Sequence, residues 1–222
     1  MRISVIIPTL NESENIARAT GQLLGVPGVD AVVVDGGSTD NTVEVASLCG
    51  VRVLCTPPGR ARQMNAGAAV ATGDIFLFLH ADTLLPEGFA GYVRDCLSKG
   101  AVAGAFELAI DSPNPWLRLI ERLVNWRSRA FGMPYGDQAI FVRADVFREV
   151  GGYPDKPIME DYELMRRLKK RGRIGIAPAR ALTSARRWAR QGIIKTTLIN
   201  QMVILGYMLG VPPEELRGWS RR

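Results

Sequence analysis

Two acids in this sequence stand at the ends of short apolar runs, where a carboxylate could do chemistry. Asp35 closes the run at residues 31–34, and Asp82 follows the run at residues 75–79. An acid at the end of a buried strand is unfavourable without a partner, so both are candidate ligand-binding residues. Such a carboxylate can accept hydrogen bonds from a base or ribose hydroxyls, or hold a hard cation against a diphosphate. Because Mg²⁺ and Mn²⁺ bind through one or two carboxylates plus phosphate oxygens, Asp82 alone can suffice.

Structural roles compete with these chemical ones. The segments 8–12, 35–40 and 80–82 each follow an apolar run and carry acids or polar groups. Any of these residues can instead cap a helix or shape a turn, and for Asp40 and Asn11 that reading is the simpler one. Asp35 and Asp82 are harder to explain in this way.

Several function classes are excluded by what the sequence lacks. Neither GxxxxGK[ST] nor GxGxxG follows an apolar run, so P-loop and dinucleotide chemistry are unsupported. The three cysteines form no CxxC pair, which argues against a disulfide scaffold or a structural zinc site and favours a reducing compartment. The single histidine, His80, excludes mechanisms that need two.

Charge is unevenly placed along the 222 residues. The net charge is +6, yet residues 164–213 hold eleven bases and no acid, so the rest of the chain has 17 bases and 22 acids, or −5. This asymmetry suggests an anionic partner at one end: phosphates, a membrane surface or nucleic acid. The alternative is a solvated basic face, which we favour for residues 169–173. For Arg186 and Arg187, beside Trp188, the two readings are balanced.

The first half of the chain alternates strand-like and helix-like segments. Continuous apolar runs predict buried strands at 3–7, 31–34, 51–55 and 75–79. Helices are predicted between them, from 11–13 to about 24, from 39–40 to 49 and over 60–71, with another beginning near Pro86. This β-α-β-α order predicts a parallel sheet with helices on both faces, and ligands then bind beyond the carboxyl ends of its strands.

The second half is less regular. It predicts strands at 101–110 and 138–142 and helices at 116–131, 144–150, 160–171 and 191–209. With 47% hydrophobic and 23% charged residues and no evident linker, the chain reads as a single α/β domain whose C-terminal part extends the same sheet. We divide it into a nucleotide-binding half (1–83), an acceptor and catalytic half (84–190) and a C-terminal helix and tail (191–222).

Three segments carry a resemblance to a known family. They are VIIPTLNESENI, VVVDGGSTDNT and GRARQMNAGAAVATGDIFLFLHADT, and the segments GMPYGDQAIFVR and IMEDYELMRRL continue the match to residue 168. Together they closely resemble family 2 glycosyltransferases with the GT-A fold, in the family's order and spacing. The combination of HADT, YGDQ and SARRW resembles a bacterial subgroup of small soluble members. The resemblance implies a Rossmann-like, mostly parallel central sheet.

The resemblance also implies a nucleotide site in the first half. Its expected members are Pro8, Thr9, Leu10, Glu12, Asp35, Gly36, Arg60 or Arg62, Asn65, His80 and Ala81. His80-Ala81-Asp82 occupies the family's DxD position, with His80 replacing the first Asp. Asp82 is then the expected ligand of a divalent cation, Mg²⁺ or Mn²⁺. His80 could ligate the metal, bond the ribose or simply pack.

The catalytic residues implied by the resemblance are Glu160 and Asp161, with Asp161 as the general base that takes the proton of an attacking sugar hydroxyl. The same acids could merely begin a helix, because acids favour first turns. Asp137 is expected near the donor sugar or acceptor, although a turn role competes. The family's QxxRW motif is absent, and its nearest equivalent, Ser184 to Trp188, suggests a diphosphate or acceptor contact through Arg186, Arg187 and Trp188. This departure favours single-sugar transfer over processive synthesis.

These expectations describe an inverting enzyme that moves a sugar from a nucleotide-diphosphate sugar to an acceptor hydroxyl. The acceptor class (a sugar, a lipid-linked group or a small molecule) stays open, and nucleic acid is not expected. A sugar nucleotidyltransferase and a degenerate nucleotide-binding module are the alternatives. No signal peptide or apolar window of about 18 residues is evident, so a cytoplasmic protein is expected. The apolar face of helix 191–209 is expected to pack on the core or on a second subunit, with peripheral contact at the inner membrane surface as the alternative.

Overall fold

The strands of this computed structural model, which describes residues 1–221, form one mixed sheet. Arg222, the last residue of the expected C-terminal tail, lies outside the described residues. The strands are Ile3–Thr9 (β1), Val29–Asp35 (β2), Arg52–Cys55 (β3), Ile75–Phe78 (β4), Thr83–Leu84 (β5), Ala101–Asp111 (β6), Phe141–Arg143 (β7) and Arg173–Ser184 (β8). Their order across the sheet is β3-β2-β1-β4-β7-β6-β8-β5.

Helices connect the strands. They are Ile16–Gly21 (α1), Thr42–Leu48 (α2), Arg60–Val70 (α3), Phe89–Ser98 (α4), Pro115–Phe131 (α5), Ala144–Glu149 (α6), Glu160–Lys169 (α7), Arg186–Gln191 (α8), Ile193–Met208 (α9) and Pro213–Arg221 (α10). A short 3-10 turn, Gly136–Gln138, precedes β7.

The four predicted strands of the first half are confirmed, and β1 to β4 pair in parallel. Their side chains alternate between two apolar layers. Ile7 and Leu77 pack with α1, α2 and α4 on one face, whereas Ile6 and Phe76 pack with α3, α6 and α7 on the other. Because both faces are covered by helices, nearly every position of β1 and β4 is apolar.

The second half differs from expectation in several places. The strand β8 was not predicted, because bases and Pro178 interrupt its apolar pattern, and neither β5 nor α10 was predicted. The predicted helix 191–209 is present as α9, which begins at Ile193 because Gly192, with a φ of 86°, separates it from α8; α8 was not predicted. The strand predicted at 138–142 begins only at Phe141, after the 3-10 turn. As β7 runs antiparallel to β4 and β6, the sheet is mixed but mostly parallel. The C-terminal part of the chain extends the same sheet as expected, through the predicted β6 and the unpredicted β8.

Candidate active site

The carboxyl ends of β1 and β2 lie side by side, since Thr9 pairs in register with Asp35. The buried Asp35 carboxylate is already engaged by its own loop. Its Oδ2 accepts hydrogen bonds from the backbone N–H groups of Gly37 and Ser38, both at 2.8 Å, and its Oδ1 accepts one from the Ser38 hydroxyl. Asp35 therefore shapes the loop that includes Gly36, and its contact with a base or ribose stays a prediction.

Beside this loop, one arginine joins two acids from distant parts of the chain. Arg186 Nη2 donates to Glu12 Oε1 at 2.7 Å and lies 3.4 Å from Asp82 Oδ2. Burial and the negative charge of Glu12 raise the pKa of Asp82, although Arg186 opposes them. The Ser184 N–H donates to the Asp82 carbonyl, so the end of β8 fixes both Asp82 and the start of α8. The structure thus brings three predicted site residues together through a strand that was not predicted.

The two acids that begin α7 face different partners. Glu160 is buried and lies 3.5 Å from Arg60 Nη1. Asp161 Oδ2 accepts a hydrogen bond from the Gly136 N–H at 3.1 Å, whereas its buried Oδ1 has no hydrogen-bond partner within residues 1–221. Burial, followed by the charge of Glu160, raises the pKa of Asp161 to about 7. A carboxyl group with a pKa near 7 can gain or lose a proton near neutral pH.

Gly136 allows His80 and Asp161 to lie close together. A Cβ built on Gly136 would collide with Asp161 Oδ2 and would lie 2.9 Å from His80 Nε2. Burial, followed by the positive charge of Arg60, lowers the pKa of His80 to about 3. His80 is therefore a neutral imidazole at physiological pH, able to donate through one ring nitrogen and accept through the other.

A second group of polar side chains lies near Asp161. Asp137 Oδ1 is buried without a hydrogen-bond partner in the described chain, and burial raises the pKa of Asp137 while the charge of Arg127 lowers it. The guanidinium of Arg127 lies 3.8 Å from the ring centroid of Tyr135. Partial burial and the charge of Arg60 lower the pKa of Arg187, while Asp137 opposes them.

Sequence reasoning missed Arg127 and Tyr135. Arg127 is one of several arginines on an amphipathic helix, and nothing in its spacing distinguishes it. Tyr135 stands within the YGDQ motif, which could have pointed to it. Trp188, which was expected at this side of the site, packs against the apolar cluster beneath α5.

Of the expected nucleotide-site residues, two are hydrogen-bonded to other residues, one is buried in the core and one is exposed. Arg62 bonds the carboxylate of Asp155, with Nη2 at 2.9 Å from Oδ2. Asn65 accepts from the Tyr153 N–H and donates to the Tyr153 carbonyl. Ala81 belongs to the apolar core, and Leu10 is exposed. Pro8 is half-buried near the end of β1. The assignment of these residues to the nucleotide stays a prediction.

The sheet, with acids and arginines gathered at its strand ends, has the architecture of a glycosyltransferase of the GT-A class. Residues 4–151 match the family model described as glycosyl transferase family 2. The chain belongs to this family, which confirms the resemblance.

Sequence relatives agree with this assignment. An uncharacterized glycosyltransferase of Mycobacterium tuberculosis is 33% identical over 132 residues, covering 57% of this chain and 59% of the relative. A PGL/p-HBAD biosynthesis glycosyltransferase of Mycobacterium bovis is 34% identical over 173 residues, covering 68% of this chain and 62% of the relative. The chain thus spans about three fifths of the length of these curated relatives.

Two solved structures have the same fold. Glucosyl-3-phosphoglycerate synthase from Mycobacterium tuberculosis, in complex with Mg²⁺ and uridine diphosphate, superposes with a TM-score of 0.62 at 21% identity, covering 90% of this chain and 78% of that one. S. aureus TarS, in complex with UDP-GlcNAc, gives a TM-score of 0.62 at 16% identity, covering 83% and 58%. At these identities the likeness concerns the fold.

Proposed function

We propose that this chain transfers a sugar from a nucleotide-diphosphate sugar to an acceptor hydroxyl with inversion at the anomeric carbon, using Asp161 as the general base. The observation that carries the proposal is the state of the Asp161 carboxylate. Its Oδ2 is oriented by the Gly136 N–H, its Oδ1 is buried without a partner in residues 1–221, and its pKa is raised to about 7. A base with a pKa near the working pH can take the acceptor proton efficiently.

The same geometry supports an in-line displacement. One oriented carboxylate that removes a proton from the acceptor allows the hydroxyl to attack the anomeric carbon directly as the nucleoside diphosphate leaves. Direct attack inverts the configuration. Glu160 keeps Arg60 beside Asp161, and the negative charge of Glu160 helps to raise the pKa of the base. We therefore assign Glu160 a positioning and electrostatic role.

The donor's diphosphate fits the cations that border the acids. Arg186 lies between Glu12 and Asp82, and Arg60 and Arg187 face the same region from α3 and α8. Guanidinium groups bind phosphate oxygens with paired N–H donors. These arginines can stabilise the negative charge that develops on the departing diphosphate.

The side chains at Asp82 also fit a divalent cation held mainly by the donor. Burial and the negative charge of Glu12 raise the pKa of Asp82, which is a setting that favours a bound positive charge. Oxygen donors suit Mg²⁺ or Mn²⁺, and one or two carboxylates suffice when phosphate oxygens complete the coordination. When bound, the cation would supply further charge neutralisation on the diphosphate. The Mg²⁺ and uridine diphosphate of the phosphoglycerate synthase and the UDP-GlcNAc of TarS support this choice of donor and cation.

The first test is a thermal-shift measurement with a panel of nucleoside diphosphates and nucleotide sugars, each with and without Mn²⁺. A ligand at a hundredfold excess over its dissociation constant stabilises the folded state by about 2.7 kcal/mol, which is readily detected. A cation-dependent shift with one base, followed by release of that nucleoside diphosphate on addition of acceptors, supports the transferase. Release of pyrophosphate would indicate a nucleotidyltransferase, and binding without product would indicate a binding module; either would contradict the proposal.

A further inference from the structure

Two helices carry most of the large apolar side chains that are exposed in residues 1–221. Of sixteen such side chains, eleven lie on α5, on α9 or directly after α9. They are Trp116, Leu119, Leu123, Trp126, Phe131, Ile194, Leu198, Met202, Leu205, Met208 and Leu209. Scattered exposed apolar residues are normal on a soluble protein, but a concentration of this size marks an interaction surface.

The helix α5 presents its apolar stripe away from the protein. Its inner face is anchored by polar side chains: Asn125 accepts from the Leu108 N–H, and Glu121 accepts from the Ile110 N–H. The outer stripe, at positions 116, 119, 123 and 126, follows the spacing of one helix face and carries a tryptophan at each end. An ordinary surface helix keeps its large apolar side chains on the buried face, whereas α5 also carries them on its exposed face.

Most of the exposed side chains of the helix α9 are apolar. Thr196, Val203 and Gly206 face the protein, while Ile194, Leu198 and other apolar side chains face outward. Its sixteen residues span about 24 Å, less than the roughly 30 Å of a bilayer's hydrocarbon core. No helix in the described part of the chain is long and apolar enough to cross a membrane. A helix that exposes apolar side chains and has basic residues beside them can instead lie in the membrane–water interface.

The two helices are neighbours, and basic residues accompany them. Leu117 of α5 belongs to the same apolar cluster as Trp188 and Ile193, which lead into α9. Exposed Arg190 and Lys195 mark that end of α9, whereas the exposed acids Glu214 and Glu215 lie beyond its other end, on α10. Anionic lipid headgroups complement these exposed bases. We infer that the surface formed by α5 and α9 docks on an anionic lipid bilayer.

Docking there would place the bilayer next to the reacting groups. The chain enters α8 at Arg186, which contacts Glu12 and Asp82, and Tyr207 near the end of α9 packs on Tyr162 with ring centroids 5.5 Å apart. Tyr162 directly follows the proposed base. The docking itself does not depend on sugar transfer, so the two proposals can fail separately.

The test is co-sedimentation of the full chain with phosphatidylcholine vesicles, with and without about 30 mol % phosphatidylglycerol. We expect binding to the anionic vesicles that weakens as salt is raised, because exposed charges are screened. Leu198→Asp combined with Leu205→Asp is expected to weaken binding about tenfold or more. Leu48→Asp, at a leucine that is 81% exposed on α2, is the matched control and is expected to bind as the wild type does. Leu123→Asp tests the contribution of α5 independently. Thermal unfolding shows whether the α9 variant folds, and if it does not, the α5 variant provides the test.

Three results would overturn the inference. The first is a wild-type chain that stays in the supernatant with anionic vesicles. The second is undiminished binding by both the α9 and the α5 variants. The third is a wild-type dimer, measured by sedimentation equilibrium, that the variants dissociate, since that would assign the surface to a second copy of the chain.

Discussion

Asp161→Asn separates the chemical role of Asp161 from its effect on stability. Burial and Glu160 raise the pKa of Asp161 from 3.8 to about 7, so the folded protein holds this proton more tightly than the unfolded chain does. For such a group the ionised form destabilises the fold. The destabilisation begins above pH about 4 and is complete above pH about 7. At 1.36 kcal/mol for each pKa unit, the shift corresponds to at most about 4 kcal/mol.

Asparagine keeps the shape of the side chain and its hydrogen bond from Gly136 but carries no charge. We therefore expect Asp161→Asn to be about 2 to 4 kcal/mol more stable than the wild type at pH 8 and nearly equal to it at pH 4. The same variant should lose about 10²- to 10⁴-fold in turnover, the usual contribution of a general base. Donor binding should be nearly unchanged, because the base acts on the acceptor.

The assays are urea unfolding at several pH values, nucleoside diphosphate release and donor titration. Asp145→Asn is the matched control. Its carboxylate is exposed, and a hydrogen bond from Arg143 lowers its pKa, so its replacement should leave stability unchanged or slightly reduced and activity intact. The reasoning is refuted if Asp161→Asn retains more than about a tenth of the activity or loses donor affinity. Equal destabilisation at every pH would refute the electrostatic part alone.

The remaining predictions concern the metal, the base and one structural contact. Asp82→Ala should remove most activity together with its dependence on Mn²⁺; undiminished wild-type turnover in chelator would contradict the metal proposal. Gly136→Ala should lower kcat by displacing the Asp161 carboxylate, with KM for the donor little changed, because the added Cβ collides with that carboxylate. In the wild type, kcat/KM should rise with pH through about 7 as Asp161 deprotonates, and a flat profile would exclude it as the base. Asn65→Ala should lower the free energy of unfolding by about 2 to 3 kcal/mol, as two hydrogen bonds to the Tyr153 backbone are lost.

The parallel half of the sheet was predictable because its signal is local. Continuous apolar runs separated by helix-length segments leave few arrangements, and the alternation of Ile6 and Ile7 between two buried faces follows from the strand period. The ends of β1 and β2 then had to meet at one edge, which the pairing of Thr9 with Asp35 confirms.

The other half of the site depends on contacts between residues far apart in sequence. Arg186 contacts Glu12, 174 positions away in sequence, because β8 pairs with β6 in the sheet. The irregular apolar pattern of β8 does not predict a strand there. The orphaned Oδ1 of Asp161 is equally a product of packing, since Gly136 has to approach closely before that carboxylate is buried. Neither the contact of Arg186 with Glu12 nor the burial of Asp161 Oδ1 can be predicted from composition or from the spacing of residues.

The choice between Arg60 and Arg62 could have been made from the sequence. Residues two positions apart on a helix point about 160° apart, so α3 can direct only one of these side chains toward the strand ends. The structure places Arg60 beside Glu160 and pairs Arg62 with Asp155. The negative charges of Glu160, Asp161 and Asp82 also outweigh burial and raise the pKa of Arg60. Helical geometry and charge thus both indicate that Arg60 is the arginine of α3 that can bind a diphosphate. Arg62 instead forms an ion pair with Asp155, in the segment before α7.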